Sequence, residues 1–152
     1  MADRADVESV DAIMAAVYDV ISGGIGEKRD WDRFRSLFRP EAKLIPTGGR
    51  PGGPFLPQYM GVEDYVVNGG AYLEANGFFE KEINRVEEQY GNIVHLFSTY
   101  ESRHLEDDAE PFARGINSFQ LVFDGTRWWV VNIYWQQEGP NSPIPAKYLP
   151  AN

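Results

Sequence analysis

Between Phe78 and Glu138 the chain reads as four long strands in succession, and no other stretch limits the fold as tightly. Turn chemistry separates the strands: Gly91-Asn92, the acidic stretch Glu106 to Glu110, and Asp124-Gly125. Strands joined this closely pair as an antiparallel meander, because a parallel connection needs a crossover of a dozen or more residues. A sheet of that breadth has to bury at least one face, so something else in the chain must cover it.

The cover is expected from the residues that precede it. From Val7, apolar side chains recur at Val10, Ile13, Met14, Val17, Tyr18 and Ile21, a spacing that lays one stripe along a helix. Asp3 or Asp6 can cap its start and Gly23-Gly24 can end it. A second, short helix is expected after Asp30, with Trp31, Phe34, Leu37 and Phe38 on one side and Pro40 closing it. Ala42 to Ile45 reads as a short strand. Pro46 to Pro57 holds four Pro and four Gly in twelve residues and reads as an irregular loop, placed to form a rim or lid. Val62 to Asn76 is a third helical stretch, with Tyr65, Val66, Tyr72 and Leu73 as its apolar face. Gly69-Gly70 inside it implies a close approach to another element. The tail, residues 139–152, carries four prolines and is expected to run irregularly over the surface. No repeat or linker divides the sequence, so residues 1–152 are expected to form a single domain.

Two stretches carry a family likeness. Arg29 to Phe38, reading R-D-W-D-R-F-R-S-L-F, followed by Glu41-Ala42-Lys43-Leu44, resembles a passage of the nuclear transport factor 2-like superfamily, as in scytalone dehydratases and polyketide cyclase-like proteins. Phe119 to Val131 resembles that superfamily's last hairpin. The resemblance implies an α+β fold: a cone-like curved antiparallel sheet, a cystatin-like α+β barrel, wrapped around three N-terminal helices. It implies homodimers in many members, and it fixes no chemistry, because the members include isomerases, dehydratases, cyclases and proteins that only associate. Ketosteroid isomerase-like members keep a general-base Asp on the strand after the second helix. The strand Ala42 to Pro46 has no carboxylate, which weakens the isomerase reading.

Composition removes several chemistries. The absence of Cys leaves no thiol nucleophile, disulfide or thiolate metal site. Lys and Arg number 14 against 23 Asp and Glu, a net charge of −9 that repels phosphate backbones and anionic membranes, so neither nucleic acid nor a membrane is an expected partner. The acidic N-terminus lacks the apolar core of a signal peptide and no run reaches the ~18 apolar residues of a membrane span, so a cytoplasmic protein is expected. Gly48 to Gly53 lacks the Gly-Lys-Ser/Thr ending of a phosphate loop.

His95 and His104 stand nine apart on one strand and therefore on opposite faces, so no metal site is expected, and no organic cofactor either. His95 shares its face with Phe97, Thr99, Glu101 and Arg103. Under the helices it would be a general base; on the other face it would be polar surface or a subunit contact. Tyr18, on the first helix, is either a phenolic donor in the same cavity or part of the packing. Counting from a turn at Asp124-Gly125 sets Phe119, Leu121 and Phe123 on one face with Trp128, Val130, Asn132 and Tyr134, and sets Val122, Trp129, Val131, Ile133 and Trp135 on the other. Both faces are apolar, so one is expected under the helices and the other against a second copy. Asn117, Phe119, Trp128, Asn132 and Tyr134 are then the expected substrate-binding residues, with His95 and Tyr18 as the catalytic pair. The expected ligand is a small, largely apolar or aromatic molecule, undergoing cofactor-free dehydration, isomerisation or cyclisation. The alternative is a non-catalytic ligand-binding or subunit-association module.

Overall fold

The structure is a computed structural model that describes residues 1–151. The first helical stretch is two helices, α1 (Arg4–Val7) and α2 (Val10–Ile21), rather than one. Ser9 makes the break: its backbone is extended and its hydroxyl accepts the Ala12 N–H at 3.0 Å, which starts a new helix. Asp30 likewise caps α3 (Trp31–Ser36) through the Arg33 N–H at 3.0 Å. α4 (Val62–Asn76) matches the expected span and ends at Gly77, whose φ of 69° favours glycine.

The strand expected at Ala42 to Ile45 is longer. β1 (Phe38–Gly48) begins at Phe38, so Phe38 and Pro40 belong to the strand and not to the helix before it. Its far end pairs with β2 (Leu56–Pro57), which shortens the irregular loop to residues 49–55, and β3 (Met60–Gly61) pairs with its middle. The meander is as expected: β4 (Phe79–Tyr90), β5 (Ile93–Arg103), β6 (Ala113–Phe123) and β7 (Trp128–Gln137) pair antiparallel in sequence. β1 joins beside β7 and runs parallel to it, so the sheet is mixed rather than purely antiparallel, in the order β2-β1-β7-β6-β5-β4. It is curved and open, with the helices in its concave side.

Two one-residue bulges set which side chains face the helices. In the β4/β5 pair the register shifts between Glu82 and Asn84, leaving Ile83 as the extra residue. In the β6/β7 pair it shifts between Gln120 and Leu121, opposite an extra Val131. Each bulge reverses the inside-outside parity of its strand and bends the sheet.

The concave face packs Val94, Leu96, Phe119, Leu121, Val130 and Ile133 against Ile13, Met14 and Val17 of α2. Trp31, Phe34 and Tyr65 form a ring cluster between α3 and α4. Gly70 meets it closely, since a Cβ there would lie 3.1 Å from the Trp31 ring, whereas Gly69 has only its own helix nearby. The tail crosses the convex face with one 3-10 turn at Ala146–Tyr148; the Thr99 hydroxyl donates to the Tyr148 carbonyl at 2.6 Å.

Candidate functional site

A cavity of about 190 Å³ opens inside the cone, between α2, α3 and α4 and the concave face of the sheet. Seven of its wall residues are aromatic, among them Phe34, Phe78, Phe119 and Trp135. Its polar groups are few: Glu80, Ser102, Asn117 and Gln137, and the phenols of Tyr65 and Tyr100. Phe112 and Gln137 are the exposed members of the wall and mark its mouth. An apolar body with a handful of placed polar groups is the usual make-up of a small-molecule site.

Glu80 is the single ionisable carboxyl on that wall. The β4 bulge sets Glu80 opposite Ser102 and Glu82 opposite Tyr100, on the inward face. The end of α2 fixes the backbone there. The Ser22 hydroxyl accepts the Glu80 N–H at 3.1 Å and donates to the Tyr18 carbonyl at 2.7 Å, while Gly23 and Phe78 exchange backbone bonds of 2.8 and 2.9 Å. The Ser102 hydroxyl donates to Glu80 Oε1 at 3.2 Å. The other carboxyl oxygen has no hydrogen-bond partner among the described residues, and neither do the Tyr65 and Tyr100 hydroxyls. Burial pushes the Glu80 carboxyl up to about 8, against a small opposing effect of the Ser102 bond. Burial first, and then the nearby Glu80 charge, also raise the Tyr65 and Tyr100 phenols, so both stay protonated donors.

A hydrogen-bonded chain runs behind the wall. The Asn117 amide donates to the Tyr18 hydroxyl at 3.0 Å, and that hydroxyl lies 2.7 Å from Ser98 Oγ. Ser98 in turn donates to Glu82, which pairs with Arg85 at 2.8 Å, and Arg85 reaches Asp11 at the surface. Among the described residues no three His, Asp or Glu side chains converge in a way that would hold a metal ion, and no helix is long and apolar enough to cross a membrane.

No protein-family model matches the sequence, and no curated protein does. Solved structures do. A nuclear transport factor 2-like protein with a cystatin-like fold from Novosphingobium aromaticivorans superposes with a TM-score of 0.66 at 12% identity, over 93% of this chain and 84% of its own. The fold is nuclear transport factor 2-like. A candidate calcium/calmodulin-dependent protein kinase II association domain from Xanthomonas campestris gives a TM-score of 0.63 at 11% identity, covering 86% of each chain. A candidate ketosteroid isomerase from Parabacteroides distasonis gives 0.55 at 14%, over 88% of this chain and 92% of its own.

Within this nuclear transport factor 2-like cone the expected site residues part company. Asn117 and Phe119 line the cavity. Trp128 is buried on the same concave face but packs on Phe123, with ring centroids 5.4 Å apart, and is not part of the wall. Asn132 and Tyr134 are on the convex face. The extra Val131 turns them outward and brings Ile133 and Trp135 inward, the reverse of the parity counted from the turn. Tyr18 stands behind Asn117, its hydroxyl shared between Asn117 and Ser98. His95 is also convex and exposed, 3.0 Å from Glu88, so it faces away from the cone. His104 lies past the end of β5 and stacks on Phe112 near the mouth, ring centroids 3.9 Å apart.

Glu80 escaped the sequence reading. Its strand, F-E-K-E-I-N-R-V-E-E-Q-Y, shows no apolar alternation, and the register counted from Gly91-Asn92 turns Glu80 outward. On that register Glu82 would stand opposite Glu101, and this pair of like charges was the one usable signal against it.

Proposed function

We propose that the cone binds a small, largely apolar molecule and moves a proton on it, with Glu80 as the acid-base group, in a dehydration or isomerisation. The observation that carries this reading is a lone carboxyl on an aromatic cavity wall, one oxygen held by Ser102 and the other free. Held near neutrality, it can both donate and accept a proton at ordinary pH, which is what general acid-base catalysis asks of it. The Tyr65 and Tyr100 hydroxyls are free to donate to a substrate oxygen where charge develops.

The experiment is a turnover screen of small carbonyl and β-hydroxycarbonyl compounds of each charge, on the wild type and Glu80→Gln, with folding followed by circular dichroism. A substrate whose turnover falls about 10²–10⁴-fold in a folded Glu80→Gln protein supports the reading. Equal turnover by the two proteins refutes it. Binding without turnover across the screen favours the ligand-binding module instead.

A second reading concerns association. The convex face exposes Val86, Tyr90, Ile93, Phe97, Val131 and Tyr134, an apolar stripe of the kind that soluble monomers rarely leave to water. The likeness to an association domain agrees with a homodimer formed through this face.

A further inference from the structure

We propose that the molecule taken into the cone is a small protonated amine with an apolar body, seated by its ammonium against Glu80. The inference rests on reading the cone as a ligand pocket, and it names the charge of what enters.

The wall decides the sign. It holds seven aromatic rings and one carboxyl, and no Lys, Arg or His. Aromatic faces attract cations and give nothing to an anion. The nearest buried cation, Arg29, is spent on four backbone carbonyls, those of Ile21, Glu27, Gly23 and Leu73, and does not line the cavity. A carboxylate or phosphate would therefore enter a dry space with no counter-charge, beside a group of its own sign.

The free polar atoms suit an ammonium as well. The second Glu80 oxygen, the two phenol oxygens of Tyr65 and Tyr100 and the Asn117 carbonyl all lack partners among the described residues, and all can accept. An ammonium brings three donors and no acceptor, which matches such a set. At about 190 Å³ the cavity is below the usual range for drug-sized ligands, so one ring or a short aliphatic body is the limit.

The approach carries the same sign. Phe112 at the mouth follows the β5/β6 loop, which bears Glu106, Asp107, Asp108 and Glu110. The arginines close by are engaged: Arg103 with Glu101 and the Asp108 carbonyl, Arg114 with Glu138. With a net charge of −9, the field draws cations toward the opening.

The seat has a consequence for protons. Glu80 faces Tyr18 of α2, Tyr65 of α4 and Tyr100 of β5, all neutral phenols. On its outer side it borders a cleft that also holds Lys81, Arg85 and Arg103, but Arg85 is paired with Glu82 and Asp11 and Arg103 with Glu101, and none of the three forms an ion pair with Glu80 in the empty cone. An entering ammonium makes the carboxylate the favoured form. The Glu80 proton then leaves to solvent, and the ligand's own charge turns Glu80 into a base.

The test uses three probes of one shape, benzylamine, benzyl alcohol and benzoate, titrated calorimetrically into the full chain at pH 7 in two buffers of different ionisation enthalpy. Benzylamine is expected to bind at least about tenfold more tightly than benzyl alcohol, benzoate not measurably, and close to one proton should leave with the amine alone. Glu80→Gln should erase the preference for the amine while benzyl alcohol still binds. Benzyl alcohol or benzoate binding as tightly as the amine, or amine binding with no proton released, would overturn the inference and leave the pocket standing. Failure of all three to bind would remove the pocket reading itself.

Discussion

The guanidinium of Arg29 occupies the space where a side chain on Gly23 would begin: a Cβ there would stand 2.7 Å from Nη1. Arg29 donates to the Ile21 and Gly23 carbonyls at 2.8 and 2.9 Å, at the end of α2, and to the Leu73 carbonyl near the end of α4 at 3.2 Å. One planar cation thus ties together two helix ends: it is the donor to the Ile21 and Glu27 carbonyls and a second donor to those of Gly23 and Leu73, which also accept from the Phe78 and Gly77 N–H groups. Replacing Arg29 by Met is expected to cost about 3 kcal/mol or more, because buried acceptors are stranded. Lys should rescue little of it, since a single ammonium cannot reproduce the fork. Gly23→Ala should cost about 1–3 kcal/mol by forcing the guanidinium aside. Urea unfolding of the three variants checks the order; an Arg29→Met protein as stable as the wild type would dismiss the clamp.

Glu80 makes stability depend on pH in a direction opposite to most carboxyls. Its folded value, pushed up to about 8, lies above the ordinary 4.5, so between these values the folded state binds more protons than the unfolded one. The contribution is fully present below pH 4.5 and is lost as pH rises through 8, at up to about 1.4 kcal/mol per pH unit. Glu80→Gln removes the slope. Its melting temperature is expected to be near that of the wild type at pH 5 and clearly above it at pH 8.5. A parallel offset at both pH values would mean that Glu80 does not titrate in this window.

The Tyr18 hydroxyl joins α2 to β5 and β6 through Ser98 and Asn117. Tyr18→Phe strands the buried Asn117 amide and leaves Ser98 with only its bond to Glu82, and should cost about 1–3 kcal/mol. If the hydroxyl acts through these partners, Tyr18→Phe and Ser98→Ala should couple by at least about 0.5 kcal/mol in a double-mutant cycle. Purely additive losses would deny the connection.

Much of this architecture was legible in the sequence. The amphipathic stripe of α2, the capping Asp30, the span of α4 and the four-strand meander follow from periodicity and turn residues, which act locally. The lining of the cone was not, because it depends on two bulges. Counting outward from Gly91-Asn92 and from Asp124-Gly125 gives the correct register only as far as Ile83 and Val131. Beyond those residues every face reverses, which exchanges Glu80 for its outward neighbours and Asn132 for Ile133. Neither bulge is marked by a glycine or proline, so local chemistry gives no warning of it.

The Val131 bulge can be tested by that exchange. Asn132, half-buried on the convex face, should tolerate Leu within about 0.5 kcal/mol, whereas Ile133→Ala opens the core and should cost about 2–5 kcal/mol. Equilibrium unfolding of the pair decides between the two registers. A large loss for Asn132→Leu with a small one for Ile133→Ala would restore the parity counted from the turn.

The convex stripe makes a last, separate demand. Tyr90 and Ile93 close the β4/β5 turn and are 85% and 59% exposed, so neither contributes much to the monomer's own core. Changing both to Lys places charge at the hairpin end of the apolar stripe and should leave monomer stability within about 0.5 kcal/mol per site. If two copies meet on this face, each Lys must be buried without a partner, and the dimer should weaken by orders of magnitude. Sedimentation velocity at micromolar concentration reads the difference directly: a wild-type dimer that becomes a folded monomer in Tyr90→Lys/Ile93→Lys supports the interface. A dimer that survives the double change is held elsewhere, and a wild-type monomer at that concentration leaves the stripe without a second copy to cover it.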